Sequence, residues 1–136
     1  MMDKERIVVL MALLNDYLKE LELKMRDTTL EKYNEDLDLR RIVERLIQLI
    51  SEAELDLAEE VYKGLELKLS AEEKSMLESL TDALGKSIIS KLIARRNLRN
   101  QLVHAYTSYK NEEVFEKAKD TSDIAAFEAA IKRLLK

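Results

Sequence analysis

The chain has no cysteine and no proline, and only two glycines, Gly64 and Gly85, in 136 residues. Without thiols there is no disulfide, no thiolate metal site and no cysteine nucleophile, and the absence fits a reducing compartment. Sheets and tight hairpins draw on proline and glycine at their turns, so their scarcity points to long helices with few breaks. Two isolated glycines cannot build a P-loop or a dinucleotide fingerprint. No run of about 18 apolar residues is present to span a bilayer, and the charged start, Met1 to Arg6, runs straight into a helical pattern instead of a signal peptide. These absences lead us to expect a cytoplasmic protein with no membrane partner.

What is present describes a folded helical domain. Hydrophobic residues make up 46% and charged residues 37%, well away from the disordered class, and the length suits one domain over residues 1–136. Ile7, Leu10, Met11, Leu14, Leu18, Leu21 and Met25 keep the three-and-four spacing of a helix face, interrupted by Asp27 to Thr29. Leu30 to Asp36 reads as a short helical turn. A second long helix follows through Leu39, Ile42, Val43, Leu46, Ile50, Ala53, Leu57 and Val61, with Gly64 expected as a left-handed C-terminal cap. Ile47 and Leu49 lie off that stripe, so this helix is either central or shared with a partner subunit. Ser70 and Glu73 have capping-box spacing ahead of a third helix up to Gly85. A fourth runs from about Ser87 past Val103, a short one spans Glu112 to Lys119, and a last one follows a break at Asp120 to Ser122. The expected fold is all-α, an antiparallel helical bundle of four to five main helices.

The net charge of −4 is unevenly spread. Between Ala83 and Asn111 there is no acid, yet Lys86, Lys91, Arg95, Arg96, Arg99 and Lys110 lie there, so the rest of the chain carries −10. The ordinary reading is a solvated helix face paired with acids from neighbouring helices. Clustering in a chain of 27 acidic residues favours instead a basic patch for phosphate, with Lys91, Arg95 and Arg96 as candidate nucleic-acid contacts. His104, the sole histidine, is the one side chain with an unperturbed pKa suited to passing protons near neutrality. No Glu-x-x-His pair is available, because Gln101 stands three before His104, so a ferritin-like metal site is not expected. The five methionines read as packing, and Tyr17, Tyr33, Tyr62 and Tyr109 receive no role.

The stretch Arg99-Asn100-Gln101-Leu102-Val103-His104-Ala105-Tyr106 resembles the signature of HEPN-domain proteins, and with Tyr two places after His it is most similar to the HepT ribonuclease toxins paired with MntA nucleotidyltransferase antitoxins. Leu37-Asp38-Leu39-Arg40-Arg41, followed by Val43, Glu44, Arg45 and Leu46, resembles that family too, and the likeness covers roughly Glu5 to Ala118. The chain departs from the commoner pattern at Ala94 to Asn97, where Arg95-Arg96-Asn97 replaces a small or glycine-containing approach. The resemblance implies a metal-independent endoribonuclease toxin of a toxin-antitoxin pair, a homodimer that needs no cofactor. It further implies Arg99 and His104 as the nuclease residues, Asn100 as their polar neighbour and Tyr106 as the acceptor of AMP from the nucleotidyltransferase.

Physical reasoning adds to this. Attack by the RNA's own 2′-hydroxyl needs one base and one acid, and a single imidazole cannot be both at once; a two-fold dimer bringing two copies of His104 and Arg99 together supplies both. On a straight helix, however, residues five apart differ by about 140° around the axis. Either the helix is distorted near Asn100 or one group comes from the other chain. Two further readings stay open: a non-catalytic helical dimer serving as the binding subunit of a nucleotidyltransferase, and a helical adaptor in which His104 is structural.

Overall fold

A computed structural model describes residues 2–68, 72–104 and 109–136. Within them the order is α1 (Lys4–Met25), α2 (Leu30–Glu35), α3 (Leu37–Gly64), α4 (Glu73–Ser79), α5 (Thr81–Leu84), α6 (Lys86–Val103), α7 (Asn111–Lys119) and α8 (Ser122–Leu134), with no strand among the described residues. The starts of the first three helices follow from short polar side chains that accept orphan amide protons. Asp3 accepts from Arg6 N, Thr29 from Lys32 N and Asp36 from Leu39 N, at 3.1, 3.2 and 3.0 Å.

Helices α1 and α3 form the antiparallel spine of the bundle. Arg6 near the start of α1 pairs with Glu60 near the end of α3, while Glu20 late in α1 shares a shallow hollow with Arg41, Ile42, Arg45, Leu46 and Leu49 of early α3. The motif-bearing α6 packs on α3, flanked by α4, α5 and α8, and α7 bridges α1, α2 and α3. One continuous core of Leu, Ile, Val, Met and Ala with Tyr33 and Phe127 joins them. Burying each such large side chain contributes about 1.5–3 kcal/mol. Ile47 is buried within the chain and Leu49 lines the hollow, so α3 is central and also keeps an apolar outer edge.

Two local expectations are corrected. Gly64 is the last helical residue of α3 instead of a left-handed cap; the positive φ falls on Glu66 at 55°, and the space a Gly64 Cβ would need is filled by the Met2 side chain. The single helix expected up to Gly85 is broken at Leu80, whose ψ is 2°. Its cause is local: the hydroxyls of Ser79 and Thr81 donate to the carbonyls of Met76 and Glu78, each three residues back, and compete with the helical pattern. Ser70, the expected cap, lies outside the described residues, and Glu72 occupies the N-cap of α4 with no side-chain cap bond. Gly85 turns the chain into α6 with φ 103°, a conformation that favours glycine. Among the described residues no helix is long and apolar enough to cross a membrane.

Candidate active site at the end of α6

Five of the six charges of the basic segment lie on α6 and do not share a face, while Lys110 stands at the N-cap of α7. Arg95 turns inward and is only 3% exposed. Its Nη1 donates to Glu54 Oε2 of α3 at 2.7 Å, and its Nη2 meets both carboxylate oxygens of Asp123 of α8 at 2.9 and 3.2 Å. A guanidinium so engaged has no surface left for a phosphate, which overturns the expectation that Arg95 contacts RNA. Burial pushes the Glu54 carboxyl up to about 7, with Asp123 adding to the rise and Arg95 opposing it. Glu54 Oε1 has no hydrogen-bond partner among the described residues, as one positive charge is shared between two acids.

Lys91 stays on the surface and pairs with Asp120 at 2.7 Å, both side chains being about half exposed. Arg96 and Arg99, one turn apart, converge on a single carboxylate oxygen. Glu73 Oε1 of α4 accepts from Arg96 Nε at 3.1 Å and from Arg99 Nη2 at 2.7 Å. Asn100 Oδ1 accepts from Arg99 Nε and Nη2, at 3.1 and 2.7 Å. Partial burial raises the Glu73 carboxyl, but the bonds and charges of Arg99 and Arg96 outweigh it and hold the group below its ordinary value. The Arg99 side chain retains 15% of its exposure.

His104 closes the helix. Its N–H donates to Asn100 O at 3.0 Å, a regular helical bond, and its own ψ of 84° then takes the chain out of α6. The helix is therefore undistorted through Asn100, which removes one of the two ways in which Arg99 and His104 of one chain come to share a face. They stand about 7.5 Å apart along the axis and about 140° around it. His104 and the neighbouring Val103 are both exposed. Tyr106 lies outside the described residues. Past that gap, Tyr109 sits against α3, where burial first and then the charge of Glu44 raise its hydroxyl above the ordinary value, Arg41 opposing.

Over residues 14–134 the chain matches the family described as ribonuclease HepT-like. It is a member of that family. The solved structure of the cytosolic protein of unknown function YutE from Bacillus subtilis has the same fold, with TM-score 0.82 over 98% of this chain and 91% of that one at 16% identity. No curated protein matches the chain. In this HepT-like chain, Arg99, Asn100 and His104 all lie in the last two turns of α6 or at its cap, while Arg95 belongs to the interior. Sequence reading missed Glu73, Glu54 and Asp123 as partners of the arginines. Glu73 carried only a capping signal, and nothing local marked the other two, which lie 41 and 28 residues from Arg95. No cluster of three or more His, Asp or Glu placed to hold a metal ion occurs among the described residues.

Proposed function

We propose that the protein is a metal-independent endoribonuclease toxin acting as a homodimer, silenced by a cognate nucleotidyltransferase that transfers AMP to Tyr106. The observation that carries this reading is the placing of the motif in a HepT-like chain: an arginine oriented by its neighbours one turn before the helix end, and an exposed histidine at the cap. Because α6 is regular, the two groups act together across a two-fold axis instead of along one helix face. His104 of one chain takes the proton from an RNA 2′-hydroxyl, whose oxygen attacks the adjacent phosphorus. The P–O5′ bond breaks and His104 of the partner subunit protonates the leaving oxygen, giving a 2′,3′-cyclic phosphate and a 5′-hydroxyl. Arg99 donors stabilise the extra charge on the phosphoryl oxygens, and Asn100 holds Arg99 in place. Arg96 and Lys91 add positive field for the flanking RNA backbone. An adenylyl group at Tyr106 blocks the cleft by bulk and by phosphate repulsion.

The deciding experiment measures cleavage of single-stranded RNA in EDTA by wild type and His104→Ala. Wild type is expected to leave cyclic-phosphate ends and to spare RNA carrying a 2′-deoxy residue at the cut, and the variant to lose cleavage while remaining dimeric. The coverage of the Arg99 side chain favours a second reading, a non-catalytic dimer that binds the nucleotidyltransferase. A wild-type protein that cuts no RNA and slows no growth, yet binds such an enzyme, establishes that one instead.

A further inference from the structure

We infer that Glu73 is a positioning residue for Arg99: it fixes the guanidinium so that the Nη1 edge, and no other, faces the scissile phosphate. The inference rests on the nuclease reading above. Asn100 Oδ1 takes bonds from Nε and Nη2, and Glu73 Oε1 takes the second hydrogen of Nη2. Those bonds use Nε and both protons of Nη2, while Nη1 makes no bond to a described residue. A planar fork tied at two adjacent nitrogens cannot turn without breaking both ties, so its remaining donors point in one direction.

Asn100 alone would not achieve this, because it is the next residue on the same helix and moves with Arg99. Glu73 comes from α4, a separate element, and ties the fork to the body of the bundle. The same oxygen also receives Arg96 Nε, so two arginines one turn apart lean on one anchor. Glu73 does not act as a stand-in for the phosphate. Displacing it would strip a partly covered carboxylate of both its arginines, whereas the Nη1 edge accepts an anion with every existing bond kept.

The test uses the full-length protein with Glu73→Ala and Glu73→Gln, each checked for a wild-type melting curve. Steady-state cleavage of a single-stranded oligoribonucleotide is measured alongside 15N relaxation of the Arg99 Nε–H. Glu73→Ala is expected to lower kcat roughly 10- to 100-fold, with KM unchanged or reduced because an acid has left a basic surface, and to make the Arg99 Nε–H mobile. Glu73→Gln, whose amide oxygen accepts the same bond, is expected to restore order at Nε and to recover most of kcat. Cleavage by Glu73→Ala as fast as or faster than wild type overturns the inference, as does an Nε–H equally ordered with and without the carboxylate. If wild type cuts no RNA, the nuclease reading has failed on its own, and the relaxation comparison still decides for or against Glu73 as the group that orients Arg99.

Discussion

Replacing Arg95 by methionine tests the interior of the molecule and the reading of the basic segment together. The Glu54 and Asp123 side chains are 2% and 8% exposed, and Arg95 is the cation that the structure gives to both. Arg95→Met keeps most of the apolar stem but leaves two carboxylates facing each other with little water. Removing one partner of a buried ion pair costs about 3–5 kcal/mol, because the other charge remains in place. A domain of this size is stable by about 5–15 kcal/mol, so roughly a fifth or more of that margin disappears. At about 3–5 °C per kcal/mol, the melting temperature should fall by roughly 9–25 °C. Circular dichroism at neutral pH, by heat and by urea, reads the change. Arg95→Lys should recover only part of it, since an ammonium cannot reproduce the two-pronged contact with Asp123. Replacing all three residues with apolar side chains of similar volume should be far less harmful than Arg95→Met alone. A loss below about 1 kcal/mol in Arg95→Met would refute the reasoning, and would return Arg95 to the surface as a candidate RNA contact.

Two further outcomes follow from single residues. Burial raises the Glu54 carboxyl to about 7 from an ordinary 4.5, so the folded state holds a proton that the unfolded chain releases between those values. Stability from this group is therefore present at low pH and lost as pH climbs through that window; Glu54→Gln should gain on wild type as pH goes from 5 to 7.5 in parallel urea titrations, and a constant difference would count against it. At Gly85 an added Cβ meets nothing within 4 Å, but φ is 103°. Gly85→Ala should cost about 1–3 kcal/mol through backbone strain alone, and a neutral result in the same titration would show that the turn relaxes freely.

The sequence spelled out the helices because their information is local. Whereas the polar caps Asp3, Thr29 and Asp36 became apparent only from their bonds to the helix amides, the three-and-four spacing of Ile7 to Met25 and of Leu39 to Val61 is read within one segment. Arg99, Asn100 and His104 were legible as a motif for the same reason. The direction in which Arg95 points was not, because a run of two arginines looks alike whether one faces water or an acid on another helix; only the packing of α3 and α8 against α6 brings Glu54 and Asp123 to it. Glu73 was seen as part of a cap, and its contact with two arginines more than twenty residues later appears only once α4 folds back along α6. The break at Leu80 and the helical Gly64 were hidden for a different reason: hydroxyl-to-carbonyl bonds and the seating of Met2 override what spacing and glycine alone would dictate.

The inward Arg95 also sets the roll of α6 about its own axis. Greasy side chains, such as the buried Ile89, Leu92, Leu98 and Leu102 of this helix, tolerate small rotations, sliding past one another at modest cost. A forked contact to two fixed carboxylates is far less forgiving. A roll of about 20° would carry side-chain tips by roughly 2 Å, enough to break every bond that Arg95 makes. Arg99 follows one turn later, so the azimuth at which it leaves the helix is locked by a residue that never meets the solvent.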